Sequence, residues 1–242
     1  MTHGGDAPSS APEASEGRRR HLQAVLFDMD GLLVDSEPLW FENERHVMAR
    51  MGSGWTRADQ ERLIGGSLSH SVGYMAARAA RPAPPEVIGR WMVEGMAALI
   101  RARGVPLKPG AAELLAALAA AGIPAALVTS AERAVMEAVI EVTGIGMAVT
   151  VCAEDVTRSK PDPEPYRRAA ALLGAEPGRC VALDDSPTGV ASAEAAGCAV
   201  VAVPSVPMPD HPGRLVVSAL TALDLPRLQE IIANRYGVTG ES

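Results

Sequence analysis

Asp28 with Asp30, Thr129 with Ser130, Lys160, and Asp184 with Asp185 are the residues of this 242-residue chain whose types and placement could do chemistry together. Carboxylates are the hard oxygen donors that magnesium prefers, and two or three suffice because that ion keeps several waters. A hydroxyl, an ammonium and loop amides can hold phosphate oxygens. An Asp-x-Asp pair alone is common in a chain of this size. Four carboxylates brought to one place, however, repel at a cost of kcal/mol unless a cation sits among them. The combination points to an acidic metal site beside a site for an oxyanion. Lys160 and Lys108 are the only lysines among 22 basic residues. A lysine in an arginine-rich chain suggests a need for a compact point charge. The plainer alternatives are a helix cap for Thr129 and a surface charge before a turn for Lys160.

The elements that must position these groups alternate strand with helix. Ala24-Val25-Leu26-Phe27 is an apolar run without polar alternation, as expected of a strand buried on both faces of a parallel sheet, and it ends at Asp28. Similar runs recur at Ala125–Val128, Val149–Cys152, Cys180–Leu183 and Ala199–Val203. Helical segments are predicted at Pro109–Ala121, Glu132–Val142, Pro163–Leu173 and Pro187–Ala196, each closed by a glycine at 122, 144, 174 or 197. The fold class is α/β, a doubly wound, Rossmann-like parallel sheet. Ligands of such sheets sit outside the carboxyl ends of the strands, where the candidate residues lie.

Residues 36–106 break this rhythm and read as wholly helical. Glu37–Met51, Ser67–Ala80 and Glu86–Arg103 are amphipathic, separated by breakers at Gly52–Gly54, Gly65-Gly66 and Pro82–Pro85. Directly after a strand that carries chemistry, such an insert reads as a cap that closes over the site. The expected organisation is a disordered tail at 1–21, a catalytic core of 22–35 and 107–235, a helical cap at 36–106 and a short tail at 236–242.

A net charge of −7 and a pI near 5.3 leave no footprint for nucleic acid, and the apolar runs are too interrupted for a membrane span. The three cysteines lack C-x-x-C spacing and read as reduced, structural thiols. The N-terminus carries no apolar signal stretch, so a cytoplasmic location is expected. Core and cap can bury their own surfaces, so a monomer is expected as well.

Asp28-Met29-Asp30-Gly31-Leu32-Leu33-Val34-Asp35-Ser36-Glu37 resembles the first signature of the haloacid dehalogenase superfamily. Leu127-Val128-Thr129-Ser130 resembles the second, Ser159-Lys160-Pro161-Asp162-Pro163 the third, and Leu183-Asp184-Asp185-Ser186-Pro187-Thr188-Gly189 the fourth. The resemblance implies that Asp28 attacks phosphorus to give an aspartyl phosphate, while Asp30 protonates the leaving oxygen and then activates water. It implies a Mg2+ cofactor held by Asp28, the carbonyl of Asp30, and Asp184 or Asp185. It also implies that Thr129 and the amides of Met29, Asp30 and Ser130 hold phosphoryl oxygens, and that Lys160 bridges Asp28 and the phosphate.

Within that superfamily, individual residues narrow the reaction. A dehalogenase lacks the second aspartate, present here as Asp30. Phosphonate hydrolysis uses a cap lysine, and residues 36–106 contain none. A β-phosphoglucomutase carries a cap-loop arginine for a second phosphate, where this chain has Leu68. Residues 28–40 most resemble bacterial phosphatases of sugar and sugar-alcohol phosphates, so the expected partner is a small phosphorylated metabolite. Mutase-like phosphoryl transfer and phosphoglycolate hydrolysis are the alternatives. Glu37, Trp40 and His70 are the candidate substrate contacts of the cap: a carboxylate for sugar hydroxyls, an aromatic face for a ring, and an imidazole at the cap loop. Core packing for Trp40, a solvated helix start for Glu37 and a surface position for His70 are the competing assignments.

Overall fold

The structure, a computed structural model, describes residues 21–64, 66–208 and 214–235. The arginines at 18–20 and the tail at 236–242 lie outside the described residues. Six strands form one sheet: β1 (Ala24–Phe27), β2 (Ala125–Val128), β3 (Val149–Val151), β4 (Cys180–Asp184), β5 (Ala199–Ala202) and β6 (Leu215–Val216). All pairings are parallel and the order is β3-β2-β1-β4-β5-β6. The chain winds outward from β1 through β2 to β3, then restarts on the other side with β4. The strand order therefore reverses between β1 and β4, the crevice where open α/β sheets bind ligands.

Between β1 and β2 run four helices, α1 (Glu37–Arg50), α2 (Arg57–Glu61), α3 (Leu68–Arg78) and α4 (Pro85–Arg103). The remaining helices are α5 (Ala111–Ala120), α6 (Arg133–Thr143), α7 (Glu164–Leu172), α8 (Pro187–Ala196) and α9 (Leu225–Arg235). Alternation along the strands separates the two faces of the sheet. Val25, Phe27, Leu127, Val181 and Leu183 pack with Leu114, Leu118, Val135, Leu228 and Ile232 from α5, α6 and α9. Ala24, Leu26, Ala126, Val128 and Ala182 pack against Tyr166, Ala169 and Ala193 from α7 and α8. With both faces covered, the sheet has no need of polar alternation, which is why its strands read as continuous apolar runs.

The helical insert has an apolar cluster of its own, including Met48, Trp55, Val72, Met75, Ile88 and Met92. It joins the sheet domain through two chain crossings that lie side by side. Asp35 N donates to Pro106 O at 2.9 Å and Lys108 N donates to Leu33 O at 2.8 Å. Arg101 of α4 also pairs with Glu141 of α6 at 2.8 Å.

The predicted elements recur with ends shifted by a few residues at most. Three elements were not anticipated: α2, β6 and α9. The first two span five and two residues, too few to show a period. Cys152, Cys180 and Cys198 are free and buried. Among the described residues, no helix is long and apolar enough to cross a membrane.

Candidate active site

Strand register brings the first two acids together. Phe27 pairs with Leu183, so the next residues, Asp28 and Asp184, emerge level with each other, and Asp28 N donates to Leu183 O at 3.0 Å. After Asp30 the chain turns tightly at Gly31, whose φ of +83° lies in the left-handed region. A Cβ at this position would collide with the Asp185 carboxylate, so glycine is required for space as well as for conformation. The turn folds back on Met29, whose carbonyl accepts from Leu33 N at 2.9 Å and Val34 N at 3.1 Å. The Met29 side chain is fully buried, leaving only its backbone for any role in the site.

Lys160 projects from the loop before α7 with a side chain only 4% exposed. Its Nζ donates to Asp28 Oδ1 at 2.6 Å and to Asp184 Oδ2 at 2.8 Å, and it stands 5.0 Å from the centroid of the Tyr166 ring. This is no surface charge before a turn. Burial opposes the ammonium, but the two carboxylates more than offset it and push the Lys160 pKa up. Asp184 is completely buried: Tyr166 Oη donates to its Oδ2, while Ser186 N and Oγ donate to its Oδ1 at 3.0 and 2.9 Å. Ser186 in turn caps α8 by accepting from Gly189 N. The described residues give Asp28 Oδ2 no hydrogen-bond partner.

Oxygens of Asp28, Asp184 and Asp185 lie within 4.8 Å of one another. Burial raises the Asp28 pKa well above the usual carboxyl range, Lys160 opposes the rise, and Asp184 and Asp185 reinforce it. Asp185 is pushed up to about 7, first by burial and then by Asp184. Three buried acids beside one ammonium form a concentration of negative charge built wholly from hard oxygen donors. That donor set fits a divalent cation such as magnesium.

Asp30 faces the same cavity from the turn. Ser36 Oγ donates to its Oδ1 at 2.5 Å and Trp40 Nε1 donates to the same atom at 3.1 Å. Burial raises its pKa and these two donors oppose the rise. Thr129 and Ser130 line the cavity from the end of β2. Thr129 Oγ1 accepts from Ala131 N at 3.0 Å, so its own proton is left to donate; the N-cap of α6 is Glu132 instead.

Above the acids, α1, α2, α3 and α4 complete the cavity. Of the three cap candidates the structure brings two to it. Glu37 lines it, with Gln60 Nε2 donating to Glu37 Oε2 at 3.1 Å and to its backbone oxygen at 2.8 Å. Trp40 lines it too: its indole N–H donates to Asp30, so it helps to position that acid, and its partly buried ring packs against the apolar clusters. His70 does not reach the site. It is exposed, because on α3 it lies two residues, about 200° of helix rotation, past the cavity-lining Leu68. Glu44, Gln60 and Ser71 also line the cavity and were not singled out from sequence. Glu44 keeps the α1 face of Glu37 and Trp40 at a spacing of seven and four residues, a period that could have marked it.

A doubly wound sheet with an acid-and-lysine cluster at its switch point, roofed by a helical insert after the first strand, defines a class of hydrolase. Residues 25–203 match the model of the haloacid dehalogenase-like hydrolase family, and the chain belongs to that family. Hexitol phosphatase A of Escherichia coli (strain K12) is 38% identical over 193 residues, covering 75% of this chain and 82% of the relative. Hexitol phosphatase B of the same strain is 32% identical over 214 residues, covering 86% and 95%. Among solved structures, a mutant of CbbY from Rhodobacter sphaeroides in complex with xylulose-(1,5)bisphosphate superimposes with a TM-score of 0.78 at 27% identity, covering 86% of this chain and 99% of that one.

Proposed function

We propose that this protein is a magnesium-dependent phosphatase that hydrolyses a small phosphate monoester, a sugar or sugar-alcohol phosphate, through an aspartyl-phosphate intermediate. It is a phosphoric monoester hydrolase, in keeping with its family and with the hexitol phosphatases it resembles. The observation that carries the reading is Lys160, buried between Asp28 and Asp184 at the floor of a cavity that also receives Asp30.

Asp28 Oδ2, the carboxylate oxygen left open by Lys160, attacks phosphorus; the bond to the leaving oxygen breaks and Asp30 supplies the proton that oxygen needs. Water then attacks the phosphoryl group on Asp28, Asp30 takes its proton, and inorganic phosphate leaves. Lys160, the Thr129 hydroxyl and the amides of Met29, Asp30 and Ser130 hold phosphoryl oxygens, where preorganised donors stabilise developing charge. Ser36 and Trp40 keep Asp30 aimed at the leaving group. Asp28, Asp184 and Asp185, with the Asp30 carbonyl, would hold magnesium, which when bound supplies charge neutralisation between nucleophile and phosphate.

Mutase action through a bisphosphate is disfavoured by the lining of the cavity. Leu68 faces it where a second phosphate would need a cation, and among the described lining residues Lys160 is the one cation. Phosphate release, measured with magnesium and with EDTA across hexose, hexitol and small-acid phosphates, tests the reading. Turnover of the sugar or hexitol phosphates that EDTA abolishes is the expected result. Absence of phosphate release from the whole panel would overturn it.

A further inference from the structure

Glu44 is a buried acid that the chemistry above does not use. It is 4% exposed, yet it lines the cavity from α1, one helical turn or about 6 Å beyond Trp40. Trp55 Nε1 donates to its Oε2 at 2.8 Å and fixes the carboxyl in place. The described residues give Oε1 no hydrogen-bond partner, although no side-chain oxygen that is fully sealed from solvent goes unpaired in the described structure. Oε1 is therefore open to the cavity. A largely desolvated carboxyl with an open acceptor is costly until a donor arrives, and burial pushes its pKa up to about 7.

The surroundings say what kind of donor fits. Glu37 shares this wall, and Gln60 is already engaged, its amide on Glu37 and its oxygen on Arg57. Leu63, Ile64, Leu68 and Met92 supply its apolar side chains. With the cavity's one cation among the described residues at the phosphate end, the far end accepts hydroxyl protons and repels negative charge.

We propose that Glu44 is the specificity-determining residue of this wall: it accepts hydrogen bonds from hydroxyls at the far end of a polyol monophosphate and, with Glu37, rejects substrates that carry a second anionic group there. This inference rests on the phosphatase reading and adds to it the part of the substrate that the wall recognises.

The test compares kcat/KM for a hexitol 6-phosphate, a hexose 1,6-bisphosphate and ethyl phosphate, which has no distal hydroxyl. In Glu44→Leu the preference for the hexitol phosphate over ethyl phosphate falls by roughly 10- to 100-fold, the size expected for a lost hydrogen bond to a charged group. Glu44→Gln keeps the Trp55 bond and the shape while shedding the charge, so it carries the test should the leucine variant fail to fold. It narrows discrimination against the bisphosphate by about tenfold. Equal losses on the hexitol phosphate and ethyl phosphate in the Glu44 variants would overturn the assignment. A wild-type enzyme that cleaves ethyl phosphate with no preference for the hexitol overturns this inference alone. One that releases phosphate only from other members of the panel above also overturns this inference alone, whereas one that releases it from no member overturns the phosphatase reading with it.

Discussion

Lys160 is bonded at once to the proposed nucleophile and to the buried Asp184, and both bonds depend on its being a compact ammonium. Removing it would leave two desolvated carboxylates side by side without their shared partner. Lys160→Ala is expected to lower kcat/KM by about 10^2- to 10^3-fold, the range seen when a preorganised donor is lost from a dry site, and to lower the melting temperature. Lys160→Arg is expected to be milder but still severe. A planar guanidinium cannot sit as a point charge between two acids with the Tyr166 ring 5.0 Å away. Wild-type turnover in the arginine variant would contradict this. Asp28→Asn is the complementary change: nearly isosteric, it still offers an oxygen to Lys160 Nζ while removing one of three mutually repelling charges. Steady-state phosphate release should fall by on the order of 10^4-fold with far-ultraviolet circular dichroism unchanged. Retained turnover would mean that another group is the nucleophile.

Helix α1 places Glu37, Trp40 and Glu44 along one line from Asp30 into the insert, and much of the difference between sequence and structure lies on it. The strands and core helices were legible because sheet burial demands unbroken apolar runs and glycine marks the helix ends. The acids and Lys160 were legible because they follow those runs. Glu44 was only partly so: its spacing puts it on the face of Glu37 and Trp40, but a charged residue on an amphipathic helix ordinarily faces water, and it is the fold of the insert that buries it against Trp55. Trp40 was read as a ring for substrate or core, whereas the turn at Gly31 brings Asp30 within reach of its indole N–H. The buried position of Glu44 has a consequence for stability. Its pKa is about 7 in the folded protein against an ordinary 4.5, so between those values the folded state keeps a proton that the unfolded chain has released. The stability this group contributes is full below about pH 4.5 and declines as pH rises through 7. The facing charges, Glu37, Arg57 and Asp59, stay in place in Glu44→Gln, which cannot titrate. That variant is expected to be more stable than wild type at pH 8 by roughly 1–3 kcal/mol, with the difference shrinking toward pH 5. Urea melts at the two pH values measure it, and a gap that is constant or widens at low pH would show that Glu44 is ionised in the folded protein throughout.

At the scale of the molecule, sheet, insert and charge converge on one cavity in a chain of net charge −7. The single ammonium of Lys160 does not balance the three buried acids at the ends of β1 and β4, so a metal that binds there shifts the whole unfolding equilibrium. A ligand at 100 times its Kd stabilises the folded state by about 2.7 kcal/mol, which for a chain of this size is roughly 5–10 °C. Magnesium is accordingly expected to raise the melting temperature of the wild-type protein in a saturable way, and EDTA to reverse it. Asp185→Asn separates this site from general screening of an acidic surface. Asp185 is 4% exposed, and burial first and Asp184 second push its pKa up to about 7, so neutralising it relieves both costs in the metal-free protein and removes a ligand from the metal-bound one. The variant should melt higher than wild type in EDTA yet gain less from magnesium, and the two curves should converge or cross as metal is added. Surface screening predicts parallel curves that respond equally to sodium chloride at matched ionic strength, because screening does not distinguish one buried carboxylate from the rest. Parallel curves would therefore place the stabilising cation away from Asp28, Asp184 and Asp185.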